Sequence, residues 1–113
     1  MIKKILAALL LFPTFIYAQI NTDRVMMIAR NALYFEDYVL SIQYFNQVIN
    51  AKPYLYEPYF FRGLAKINLD DYQGAEDDCD AAIDRNPFVV GAYQIRGLAR
   101  IKQNKNDGAI EDY

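Results

Sequence analysis

The hexapeptide Arg62-Gly63-Leu64-Ala65-Lys66-Ile67 returns 34 residues later as Arg96-Gly97-Leu98-Ala99-Arg100-Ile101, with arginine for lysine as the one exchange. The same offset lays Tyr59 on Tyr93 and Gly74-Ala75 on Gly108-Ala109. Backwards, it lays Asp37-Tyr38 on Asp71-Tyr72, Ile49 on Ile83 and Pro53 on Pro87, with no gap. A fixed period of this length marks a chain of stacked supersecondary units and overrides other fold readings. The units run 22–55, 56–89 and 90–113, the last one unfinished.

Each unit reads as two helices. In the second, Pro58 suits a first helical turn, and Tyr59, Phe60, Leu64, Ala65 and Ile67 keep helical spacing as far as Leu69. Asp70-Asp71 makes the turn. Tyr72, Ala75, Cys79, Ala82 and Ile83 then form the stripe of a second helix, which Pro87 stops by pushing Asn86 out of helical geometry. Gly63 and Gly97 fall in mid-helix, where glycine costs about 1 kcal/mol against alanine. A cost repeated at one place in two units predicts close backbone approach between paired helices.

These positions resemble the tetratricopeptide signature, W-x2-L-G-x2-Y…A-x3-F…P on a 34-residue period. The middle unit presents Tyr59, Arg62, Gly63, Lys66, Ala75, Cys79 and Pro87 at those places. The resemblance extends over 22–113, and the second and third units look like the bacterial variant in which Arg-Gly replaces Leu-Gly. The first unit diverges most, with Val25, Ile28, Ala29, Ala32 and Ser41 at the signature positions, though Phe45 and Pro53 keep its second half. The resemblance implies an all-α fold, a right-handed solenoid of antiparallel helix pairs, used as a scaffold for protein contacts. Physics points the same way: one pair cannot bury its apolar face, so units stack and leave an extended concave surface.

In this family the first helix of each unit lines the groove. By register, the first unit contributes Met26, Arg30 and Leu33, beside Asp23 and Tyr34. The second contributes Phe60, Leu64 and Ile67, beside Glu57 and Asn68; the third contributes Gln94, Leu98 and Ile101, beside Lys102. So apolar a lining implies a dock for an apolar helix or an extended segment. The competing reading is that neighbouring repeats, or chain beyond Tyr113, cover these side chains. A family class that grips a C-terminal carboxylate places asparagine where this chain has Met27, Phe61 and Ile95, so that clamp is absent.

Arg62 and Arg96 occupy a normally apolar place, and sixteen residues on stand Asp78 and Asp112. The first unit has Ile28 and Tyr44 at the same separation, so charge arrives at both places or at neither. Each arginine is therefore expected to pair with an aspartate of a second helix, since an unpaired charge at a helix interface is costly. The acidic run Glu76-Asp77-Asp78-Cys79-Asp80 lies on a helix, not in a calcium loop, and Asp77, Asp80 and Asp84 are expected to share a solvated face. Cys79 falls on the buried stripe as a small hydrophobe.

With no histidine, one cysteine and one serine, the chain cannot build a Ser-His-Asp or Cys-His set, and a zinc site would lack ligands. No catalytic, metal or cofactor site is expected. Lys3-Lys4, the apolar stretch Ile5–Ile16 and the small Ala18 together read as a secretory signal peptide over 1–18, too short for a membrane anchor. Gln19 after the cut, in place of cysteine, argues against a lipoprotein. Its removal takes the formal net charge from −2 to −4, which argues against nucleic acid as partner. The expected protein is thus an exported, non-enzymatic scaffold, periplasmic or extracellular, holding a protein or peptide partner. The alternative is the repeat portion of a longer protein whose other domain carries an activity such as hydrolysis. Because the third unit stops early, either a longer parent chain or self-association through that open end is expected.

Overall fold

The computed structural model describes residues 21–105 together with Gly108, Glu111 and Asp112. The leader expected over 1–18 lies outside them. Helix α1 covers 21–34 of the described chain, followed by α2 (Tyr38–Ala51), α3 (Glu57–Asn68), α4 (Tyr72–Arg85) and α5 (Val90–Lys102). Gly108, Glu111 and Asp112 are helical as well, and no strand occurs among the described residues. No described helix is long and apolar enough to cross a membrane.

The 34-residue period is written into the turns. Glu36, Asp70 and Asn104 each take a left-handed conformation, with φ of 64°, 62° and 64°. At each, the next amide donates back into the preceding helix: Asp37 N to Ala32 O at 2.8 Å, Asp71 N to Lys66 O at 2.9 Å and Lys105 N to Arg100 O at 2.7 Å. This closure satisfies carbonyls a helix end leaves open. Asp37 and Asp71 then cap the second helices, their carboxylates accepting from Leu40 N at 3.3 Å and Gly74 N at 3.0 Å. One left-handed residue and one capping aspartate thus reverse the chain within each of the first two units.

Packing follows chain order: α2 lies on α3, α3 on α4, α4 on α5, and α3 also reaches α5. Small residues permit it. Ala29, Ala65, Ala75, Ala82, Ala92 and Ala99 are completely buried, while Phe45 and Val48 supply bulk in the first unit. A Cβ added at Gly63 would stand 3.3 Å from Asp78 Cβ and 3.4 Å from Cys79 Sγ, so α3 and α4 approach as closely as glycine allows. Between units, Tyr59 Oη donates to Pro53 O at 3.2 Å and Tyr93 Oη to Pro87 O at 2.9 Å, again one period apart. The result is an all-α solenoid of antiparallel helix pairs.

Candidate binding groove

Helices α1 and α3, the first helices of successive units, leave a cavity of about 380 Å³ between them. Arg30, Leu33 and Tyr34 line it from α1, Phe61, Leu64 and Asn68 from α3, and Glu36 and Tyr38 close its turn end. The size suits a few side chains of a bound segment. Phe61 is held from behind: its ring stacks on buried Phe45 at 6.0 Å between centroids and tilts against Phe60 at 5.2 Å. The Arg30 guanidinium sits 5.0 Å above the Phe61 ring, within cation–π range. Among the described residues Arg30 has no hydrogen bond and no carboxylate partner. Asn68 Nδ2 donates to Leu64 O at 2.8 Å.

The nine groove residues expected from register do not all meet. Arg30, Leu33 and Leu64 share the cavity, and Met26 lies beside it in a recess with Asp23 and Met27. Phe60 packs toward the third unit, so tightly that a Cβ on Gly91 would come within 2.9 Å of its ring. It belongs with Tyr59, Ala82 and Ala92 in the core between units. Ile67 is half-buried outside the cavity, while Gln94, Leu98 and Ile101 are exposed along α5. Register alone does not place Glu36, Tyr38 or Phe61 in the lining. The signal for Phe61 was available, since it directly follows a groove position and faces Arg30 across one unit. Nothing in the sequence pattern points to Tyr38.

The charged residues form a separate system. Arg62 grips Asp78 with two bonds, Nε to Oδ2 at 2.8 Å and Nη2 to Oδ1 at 2.6 Å, and donates through Nη1 to Asn46 of the preceding unit at 2.8 Å. Arg96 repeats this one unit later, with Asp112 at 2.9 and 2.7 Å and Asp80 of the preceding unit at 2.8 Å. Arg100 joins Glu76 at 2.8 Å and Asp112 at 2.9 Å, and Lys105 joins Glu76 at 2.7 Å. Lys66 adds a contact to Asp78 at 3.1 Å. The bond to Asp78 raises the Arg62 pKa against the opposing pull of burial, and the bond to Asp112 raises that of Arg96. Burial alone would raise Glu76, but Lys105, Arg100 and Gln103 outweigh it and hold the carboxyl below its ordinary value.

This network divides the acidic run. Of the face expected to be solvated, Asp77 and Asp84 are exposed, and Asp80 is half-exposed while tied to Arg96; Glu76 and Asp78 are buried, Asp78 in the pair with Arg62 expected from its spacing. A helix packed on both neighbours has less outward surface than its own periodicity suggests. Cys79 is buried between these acids, and its thiol is pushed up to about 12, by desolvation first and then by Asp78 and Asp80. The thiol is accordingly inert. The described residues contain no cluster of three or more side chains able to hold a metal.

A family model of the tetratricopeptide repeat matches residues 56–88. A search of curated protein sequences finds no significant match. Among solved structures, MamA is similar at a TM-score of 0.80 and 24% identity, over 82% of this chain and 54% of MamA, so the chain spans about half of that protein. The first tetratricopeptide domain of Spaghetti (RPAP3), solved bound to an HSP90 peptide, gives 0.78 and 26% over 81% of this chain and 73% of that one. The TPR2B domain of yeast Sti1, solved as a pHsp70 complex, gives 0.78 and 22% over 82% and 74%.

Proposed function

We propose that this tetratricopeptide-repeat chain is a non-enzymatic scaffold, exported from the cell, which holds a segment of another protein in the groove between its first helices. The cavity between α1 and α3 carries the reading. Leu33, Leu64 and Phe61 give it apolar walls, and one guanidinium lines it with its donors unengaged. Similar folds have been solved with peptides bound, namely the RPAP3 and Sti1 domains. The buried arginines, by contrast, are consumed in holding the units together and have nothing to offer a ligand. Export rests on the leader pattern of Lys3-Lys4, the apolar stretch Ile5–Ile16 and Ala18.

Two experiments test this. Partners captured by crosslinking in periplasmic or secreted fractions should be lost on Leu33→Ala and Leu64→Ala but kept on Asp77→Ala and Asp84→Ala, with melting curves confirming that all four variants fold. Equal loss from both pairs would remove the case for the groove. Mass spectrometry of the mature protein should find an N-terminus at Gln19, and an intact Met1 in the cytoplasm would refute export.

A further inference from the structure

Six arginines lie in the described chain, and their surroundings differ sharply. Arg62, Arg96 and Arg100 are bound to buried carboxylates. Arg85 donates to Pro53 O at 2.7 Å and Ala81 O at 2.8 Å while stacking on Tyr59 at 4.1 Å. Arg24 is exposed on α1. Arg30 alone combines a fixed seat with free donors. Its platform, Phe61, is backed by Phe45, which is completely buried, so the core itself sets where the guanidinium lies. A guanidinium held over a ring face by cation–π attraction leaves its N–H donors free, and a guanidinium can meet a carboxylate with two parallel bonds. Such pre-positioning lowers the ordering cost of binding.

Resting on the groove reading above, we infer that the occupant of this cavity is an extended segment carrying an aspartate or glutamate side chain, which pairs with Arg30, next to an apolar side chain, which seats against Leu33 and Leu64. Charge complementarity sets the polarity. Glu36, in the turn that follows α1, also lines the cavity and repels a second acid there. The acid belongs to a side chain and not to a chain terminus. A terminal carboxylate needs several converging donors, whereas Arg30 is the one cation lining this cavity and the Asn68 amide is already bonded to Leu64 O. The apolar wall supplies most of the burial, and the ion pair selects among apolar segments.

Panning a random heptapeptide library, displayed with both ends blocked by flanking residues, against the purified protein tests this. Enriched peptides should carry Asp or Glu within two positions of Leu, Ile, Met or Phe, and synthetic copies capped at both ends should bind the protein. Changing that acid to its amide, or Arg30→Gln in the protein, should each weaken binding about tenfold, and the two together no further, as one charge-assisted pair would. Raised salt should reproduce part of the loss. Enriched peptides that are apolar without an acid, yet lost on Leu64→Ala, would overturn the carboxylate pairing and leave the groove standing. Binding that requires a free C-terminus would overturn it equally. Failure to enrich any peptide sensitive to Leu33→Ala or Leu64→Ala would bring down the groove reading itself.

Discussion

The first unit and the two that follow share a backbone plan but not a chemistry. Around α1 and α2 the described residues bury no charge: Ala29, Ala32, Phe45 and Val48 are buried together with the uncharged Thr22 and Ser41, and Ile28 and Tyr44 stand where the later units have arginine and aspartate. Around α4 and α5 the same places are charged, and Glu76, Asp78 and Asp112 lie nearly out of solvent beneath Arg62, Arg96, Arg100 and Lys105. A repeat period thus constrains geometry far more than side-chain type, because either apolar contact or a satisfied ion pair can fill the interface. The difference also divides labour along the chain. Where arginines are internally paired they hold units together; where the interior buries no charge, Arg30 stays available to a ligand.

The largest expected effect comes from breaking one clasp. Asp78→Ala leaves Arg62 and Lys66 without their carboxylate and should remove about 3 kcal/mol of stability, read as a fall in Tm of more than 10 °C or so. The double variant Arg62→Ile with Asp78→Tyr transplants the first unit's pair into the second and should regain most of that loss. If it is no better than Asp78→Ala in urea or thermal melts, the two chemistries are not interchangeable.

Acid should separate the units next. Glu76 has a folded pKa below its ordinary value of 4.5, so its contribution is complete above that pH and is lost as pH falls through the folded value. Stability of the native protein should therefore decline below about pH 4.5, and Glu76→Gln should flatten that part of the curve while lowering the neutral plateau. An unchanged acid limb in Glu76→Gln would assign the sensitivity to other carboxylates.

Cys79 offers a finer probe of the same region. With its thiol pushed up to about 12 and fully buried, it should resist alkylation at pH 8 until the protein opens, and Asp78→Ala should speed labelling at least tenfold. Labelling at the rate of a free thiol would mean that α3 and α4 are not closed on one another.

The smallest effect belongs to the first unit. Arg30→Gln should change stability by less than about 0.5 kcal/mol, since its one contact is a stacked ring near the surface, whereas Arg96→Gln removes three bonds and should cost several-fold more. Equal destabilisation would place Arg30 in the framework and not at a binding surface.

Much of this could be read directly from residue order. The period is visible because Arg-Gly-Leu-Ala recurs at 62 and 96, and the helix pairs follow from apolar spacing and from Pro53 and Pro87. The pairing of Arg62 with Asp78, and of Arg96 with Asp112, could be anticipated from a shared sixteen-residue separation within one unit. The second ligands of those arginines, Asn46 and Asp80, could not. They lie in the preceding unit, and helical periodicity does not register how far one helix pair rotates against the next. For the same reason Asp80 reads as solvated on the wheel of its own helix but meets Arg96 once α5 packs against it, as Glu76 meets Arg100.

Local order by itself thus determined the helices, their caps and the repeat, because backbone hydrogen bonding and apolar spacing act within a few residues. The tertiary structure decided which charges are hidden, that Phe60 belongs to the core between units, and that Phe61 lies under Arg30. Those outcomes depend on distances between elements remote in the chain, which only the stacking of one unit on another sets.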